Sequence, residues 1–282
     1  MNTRLVLIEG LPGSGKSTVA QFVSQILFEQ GAETQLFLEG NVDHPADFEG
    51  VAFYQQDEFD QLLSKHEAYS DMITTKSAKH SSGYLISYRK IKDEWGSQFP
   101  DELIHEIGKK DIYELPFDQH VKLLVDRWNT YVEDHLQGSA VSIFECSFIQ
   151  NPLTIGTVKY NVQKEEVTEY VSELERIIKP LNPLLIYVDQ QDVRFAFEKA
   201  IEDRPREWSE GFIDYYTTQG YGKMRGYEGV EGTVQVLEER KSIELEIFNR
   251  LKIDKHKIDN SAFDMEKCNA ALLEIPHSIA GN

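Results

Sequence analysis

Gly10-Leu11-Pro12-Gly13-Ser14-Gly15-Lys16-Ser17 satisfies the Gly-x-x-x-x-Gly-Lys-Ser/Thr pattern without a mismatch. Glycines permit backbone angles closed to other residues, so successive amide N–H groups can turn inward toward phosphate oxygens. A helix starting at the loop adds its positive N-terminal end to that cradle. In this chemistry a lysine at position 16 reaches the outer phosphates, and the hydroxyl of Ser17 ligates magnesium. Gly10, Leu11, Pro12, Gly13, Ser14, Gly15, Lys16, Ser17 and Thr18 are therefore the expected nucleotide-binding set, with ATP and Mg2+ as the expected ligands. A chance glycine-rich turn is the other reading; a strand before the loop and a helix after it argue against that.

Phosphoryl transfer also needs an acid near the metal, an acceptor for the attacking hydroxyl's proton, and cations for the transferring charge. Two acids follow apolar runs: Glu145 after Val141–Phe144, and Asp189 after Leu184–Val188. Either could stand beside magnesium. Asp189 or Asp192 could instead cap a helix beginning near Val193. Cys146, Ser147 and Phe148 make no obvious helix start, so context favours Glu145 as the metal-side acid. Glu39 closes the second apolar run, and a carboxylate there could take a proton from a hydroxyl; an exposed loop acid is the alternative. Arg194, Arg204 and Arg206 could close over the phosphates as a lid spanning about residues 194–232. Surface pairing with Glu198, Glu202 and Glu207 is the competing reading of those arginines.

These residues need elements to position them. Leu5–Ile8, Leu36–Leu38, Val141–Phe144 and Leu184–Val188 read as strands, and Lys257-Ile258 as a weaker fifth. Helical stripes cover Ser17–Gln30, Asp118–Leu136, Glu165–Lys179 and Met265–Leu273, and another helix runs through Leu251. The glycine- and aromatic-rich patch Gly211–Gly232 reads as irregular. Residues from about 55 to 137 show no comparable strand and read mainly as helices. Strands alternating with helices imply an α/β fold, three layers around a parallel sheet of about five strands. The chain reads as one domain over residues 1–282, with a helical insertion at about 46–138 between the second and third strands.

The 282 residues carry a net charge of −19, which disfavours binding to a nucleic-acid polymer, whose backbone would be repelled. Two distant cysteines give neither a disulfide framework nor a metal cluster by spacing. The opening apolar run is too short for a signal peptide and no stretch approaches a membrane span, so a soluble cytoplasmic protein is expected. No Asn-Lys-x-Asp guanine motif accompanies the loop, and no Leu-Ser-Gly-Gly signature of ABC-type ATPases. Asp-x-x-Gly occurs at Asp47–Gly50 and at Asp93–Gly96, which for so loose a pattern reads as accident.

Leu7-Ile8-Glu9-Gly10 running into the loop resembles thymidylate kinases and deoxynucleoside kinases, which begin with a similar Glu-Gly before Gly-Lys-Ser/Thr. Residues 184–206 resemble their fourth strand and lid, and Ile258-Asp259-Asn260-Ser261 their last strand and adenine-side loop. The resemblance covers about half of the chain. It implies a P-loop small-molecule kinase fold in which Lys16 and Glu39, with Arg204 and Arg206 in the lid, serve catalysis, and Ser17 and Glu145 serve the metal. Two departures stand out. Those families place Arg directly after the third-strand acid, where this chain has Cys146, and Gly40–Pro45 matches no signature of theirs.

The acceptor stays open between a nucleoside, a nucleoside monophosphate, a sugar and an antibiotic-like alcohol. Lys76, Lys79, Arg89, Lys90 and Lys92 could receive a phosphorylated one, although a solvated charged face is the simpler reading. The aromatics Phe48, Phe53, Tyr54, Phe59, Tyr69, Tyr84, Tyr88 and Trp95 could stack on a base or a sugar, and would otherwise be core. A nucleotide-dependent switch that hydrolyses ATP slowly without an acceptor is the alternative class.

Overall fold

A computed structural model describes residues 3–275. The chain opens with β1 (Leu5–Glu9), buried at every position, and turns through the glycine loop into α1 (Lys16–Glu29) and then β2 (Thr34–Phe37). Two compact units follow from the contacts: the described residues up to Glu39 and from Trp128 onward form one, and Gly40–Arg127 the other.

Gly40–Arg127 contains β3 (Ala52–Tyr54), α2 (Gln56–Lys65), α3 (Ser70–Thr75), β4 (Ser77–His80) and β5 (Gly83–Ile86). It continues through α4 (Tyr88–Trp95) and α5 (Asp101–Gly108) to the start of α6 (Phe117–His135). Its strands form an antiparallel sheet in the order β3-β5-β4, in a segment expected to be mainly helical. Strands of three or four residues are too short to show an alternating pattern, and so escape a reading by periodicity. The aromatics of this segment are core: Tyr54 and Phe59 are buried with Ile73, Ile86 and Ile107, and Phe59 stacks on Tyr84 at 4.1 Å. Lys76, Lys90 and Arg89 pair with Glu94, Asp43 and Asp93, and Lys92 with Asp101, as a solvated charged face would.

The first unit resumes with β6 (Val141–Glu145), α7 (Gln150–Leu153) and a π-helical turn at Thr154–Lys159. Then come α8 (Lys164–Ile178), β7 (Leu184–Asp189), α9 (Val193–Asp203), α10 (Arg206–Thr217) and α11 (Gly220–Arg225). The long α12 (Gly229–Arg250), β8 (Asp254–Asp259) and α13 (Met265–Glu274) complete it. The five strands run parallel in the order β2-β6-β1-β7-β8. Apolar side chains on both faces of β1, β6 and β7 explain the burial of all three, because helices cover both sides of a parallel sheet. One core joins Val6, Ile8, Ile143 and Ile186 to Val19, Val23 and Leu27 of α1 and Leu272 of α13.

The stretch expected to be irregular at Gly211–Gly232 is largely helical, divided among α10, α11 and α12. Its aromatics pack rather than dangle: Tyr216 is buried with Phe197, Val234 and Leu237, and Phe212 stacks on Tyr216 at 4.2 Å. Glycine here serves close packing, since a Cβ at Gly222 would lie 2.1 Å from the carbonyl oxygen of Tyr216. Composition alone does not separate that use of glycine from a loop. Among the described residues no helix is long and apolar enough to cross a membrane.

Candidate active site

Register brings the C-terminal ends of the central strands level. Ile8 pairs with Glu145 on one side, and Glu9 pairs with Tyr187 on the other. Open parallel sheets bind ligands at that edge. Immediately beyond β1 the backbone enters angles that favour glycine, with φ of 142° at Gly10, 85° at Gly13 and 93° at Gly15. A side chain at Gly10 would be impossible on space alone, because its Cβ would meet Val188 O at 2.4 Å. The first turn of α1 carries no side-chain cap, so its N–H groups are left for an anion. Lys16 is only 4% exposed, and its Nζ donates to Leu11 O at 2.8 Å across the loop. Burial opposes its charge, but Cys146, Glu39, Glu145 and Glu244 nearby raise its pKa above the ordinary value.

The loop is pinned from behind. Asn260 Nδ2 donates to Ser14 O at 2.8 Å, and Gln190 Nε2 donates to Asn260 O at 2.7 Å. The hydroxyl of Ser14 is buried without a hydrogen-bond partner, a polar atom available to a ligand in the loop.

Glu145, at the end of β6, accepts from Ser17 Oγ at 2.7 Å and from the backbone N–H of Glu39 at 3.2 Å. One carboxylate therefore ties the start of α1 to the turn after β2. Asp189, the competing acid, is held by Lys241 at 3.1 Å and Lys257 at 3.3 Å. Asp192 caps α9 by accepting from Phe195 N at 2.9 Å. Glu39 is exposed, and its Oε1 accepts from Gln150 Nε2 at 3.0 Å. Its Oε2 lies 3.6 Å from Cys146 Sγ. Cys146 itself holds φ at 71°, a left-handed conformation uncommon outside glycine.

A buried frame supports these groups. Glu9 accepts from Phe148 N at 2.7 Å and from Gln150 N at 2.8 Å, one bond to each carboxylate oxygen. On the other side of Gln150, Arg240 donates to its carbonyl at 3.1 Å. Arg240, fully buried, also reaches Thr154 Oγ1 at 2.9 Å, the Tyr216 hydroxyl at 2.5 Å and Glu244 at 2.8 Å. Gln150, Thr154 and Tyr216 all line a cavity of about 750 Å3. The same cavity is bordered by the glycine loop, Lys16, Ser17, Thr18, Glu39 and Glu145.

The arginines divide. Arg204 borders the cavity with its guanidinium 4.1 Å above the Trp208 ring. Arg206 points to solvent, 85% exposed and paired with Glu210 at 2.6 Å, and does not line the cavity. Arg194 pairs with Glu231 at 2.6 Å and Glu198 at 3.6 Å. Lys199, Gln150, Thr154 and Arg240 belong to the site or its support and were not singled out from the sequence. A signal existed for Arg240 and Glu244: opposite charges four residues apart on a stripe that includes Val236, Leu237, Ile243 and Ile247.

No family model matches the sequence, and no curated protein matches it. Among solved structures, thymidylate kinase from Candida albicans aligns over 97% of this chain and 91% of its own, at 14% identity and a TM-score of 0.43. A deoxyadenosine kinase from M. mycoides aligns over 95% of this chain and 96% of its own, at 13% identity and a TM-score of 0.41. The chain has an α/β fold with a central five-stranded parallel sheet, flanking helices and a phosphate-loop sequence after β1.

Proposed function

We propose that this chain is an ATP- and magnesium-dependent phosphotransferase acting on a small molecule that bears a hydroxyl group. The observation that carries the reading is the bridge made by Glu145, which binds Ser17 through one oxygen and the Glu39 backbone through the other. It seats an acid from the end of β2 on the rim of the cavity that the phosphate loop opens into. Simple nucleotide binding requires the loop, but it does not require a second carboxylate at that place.

The residues divide the work by position. Backbone N–H groups of Gly13–Thr18 and the side chain of Lys16 hold the phosphates, as the loop's geometry and the uncapped helix favour. Ser17 and Glu145 are the residues that hold magnesium, which supplies charge neutralisation on the phosphates when bound. Glu39 takes the proton of the acceptor hydroxyl as its oxygen attacks the terminal phosphorus and the bond to ADP breaks. Gln150 orients Glu39. Arg204 stands on the lid side, in the region of about residues 194–232, and offsets charge on the transferred group.

An ADP-release screen over nucleosides, nucleotides, sugars and aminoglycosides tests this reading. We expect acceptor-dependent turnover with at least one of these classes, lost in Lys16→Ala. Slow hydrolysis indifferent to every acceptor would replace the kinase with a nucleotide-dependent switch.

A further inference from the structure

Cys146 is one of two cysteines in the chain, and it stands next to the acid that binds Ser17. Its sulfur, a carboxylate oxygen of Glu39 and one of Glu145 all lie within 4.8 Å of one another. We propose that Glu39, Glu145 and Cys146 form a binding site for a thiophilic divalent cation of the zinc type, sharing Glu145 with the magnesium position and excluding that ion.

The spacing suits the ion. With Zn–S at about 2.3 Å and Zn–O at about 2.1 Å, tetrahedral ligation sets a sulfur and an oxygen ligand about 3.6 Å apart. Cys146 Sγ and Glu39 Oε2 already stand at 3.6 Å. The ligand set also sorts metals: thiolate favours zinc, whereas magnesium takes oxygen ligands. Charge balances as well, since two carboxylates and a thiolate, offset by neighbouring Lys16, leave two negative charges for a divalent ion.

A separate observation points to a ligand at the same place. Gln150 is 3% exposed and donates through Nε2 to Glu39, yet its Oε1, on the same amide carbon, has no hydrogen-bond partner. The Glu39 carboxylate fixes which way the amide faces. That unsatisfied oxygen sits on the side chain that holds Glu39, so a polar ligand is wanted beside this carboxylate, and three protein ligands with one open position is the arrangement of accessible zinc sites. Glu39 is exposed and Glu145 borders the cavity, so the ion approaches from that side, with Cys146, 1% exposed, as the innermost ligand. Binding replaces the S–H bond with a metal–sulfur bond and releases that proton to the buffer.

The test uses the chelator-treated full chain without nucleotide, so its outcome is separate from that of the acceptor screen. Cd2+ serves as the probe, followed by its sulfur-to-metal charge-transfer absorbance, with Zn2+ as competitor. We expect one ion per chain with release of a proton, the band lost in Cys146→Gly and kept in Cys268→Ser. Glycine suits the φ of 71° at position 146, so this variant removes the ligand while relieving the backbone. Glu39→Gln, at an exposed position, weakens Cd2+ by at least about tenfold and gives a second check that does not depend on position 146. Absence of the band in the wild type, its survival in Cys146→Gly, or unchanged affinity in Glu39→Gln overturns the site.

Discussion

Ser17 and Glu145 are 128 positions apart in the chain, and their side chains meet at 2.7 Å. The contact closes the phosphate loop against β6 and gives the expected metal hydroxyl its acid. Ser17→Ala and Glu145→Gln are each expected to weaken ATP by about tenfold with magnesium present and to leave magnesium-free binding little changed. Calorimetric titrations with and without Mg2+ read the difference. Equal loss under both conditions would mean that the pair only shapes the loop.

In the proposed reaction Lys16 serves the phosphate donor and Glu39 the acceptor. Lys16→Ala is expected to abolish ATP-dependent phosphorylation while thermal unfolding still shows a folded protein. Glu39→Gln is expected to lower kcat by about 10²–10⁴-fold, the range of general base catalysis, with ATP affinity nearly unchanged. Wild-type turnover in Glu39→Gln would remove that residue from the chemistry.

Arg240 and Glu244 form an ion pair in which both side chains are fully buried, at 2.8 Å. Arg240→Met leaves Glu244 with its hydrogen bond from Tyr187 but no cation, and should destabilise the fold by about 3–5 kcal/mol. The double variant Arg240→Met/Glu244→Leu should regain part of that loss, because no buried charge is left uncompensated. Urea unfolding of the three proteins decides it: a double variant no more stable than the single one would contradict this account.

Glu9 gives a pH test. Burial pushes its pKa from the ordinary 4.5 up to about 7, against hydrogen bonds from the Gln150, Phe148 and Ile149 amides and with Glu244 adding to the rise. Between those two values the folded state binds more protons than the unfolded chain, so this stabilisation is complete below 4.5 and is lost as pH rises through about 7. His44 acts in the opposite sense. Burial and then Arg127 lower its pKa to about 3, so its contribution is lost as pH falls from 6.5. Comparison with Glu9→Gln isolates the first effect. The stability of wild type relative to that variant should be about 2 kcal/mol greater at about pH 5 than at about pH 7.5. Parallel stability curves for the two proteins would refute it.

Much of the frame was legible because it rests on local pattern. Leu5–Glu9 and Leu184–Asp189 are continuous apolar runs ending in an acid, and both are strands buried throughout. The stripes at α1, α6 and α8 announce helices in the same way. The antiparallel strands in Gly40–Arg127 gave no such signal, being three or four residues long. The glycines between 211 and 232 misled, because packing glycines and loop glycines look alike in sequence.

The phosphate loop is the part that the residues determine by themselves. Glycines at 10, 13 and 15 admit positive φ, and the lysine and serine that follow need only a helix to carry them. Which acids serve that loop is another matter. Glu145 and Asp189 both end apolar strands, and only the helix start that follows Asp189 sets their sequence contexts apart. The strand order separates them: β6 lies between β2 and β1, so Glu39, Glu145 and Ser17 arrive at one edge. Asp189 ends β7 on the other side of β1 and is taken up by Lys241 and Lys257. Backbone conformation follows from neighbours along the chain, whereas the meeting of residues more than a hundred positions apart follows from how the sheet is threaded, and only the folded molecule decides that.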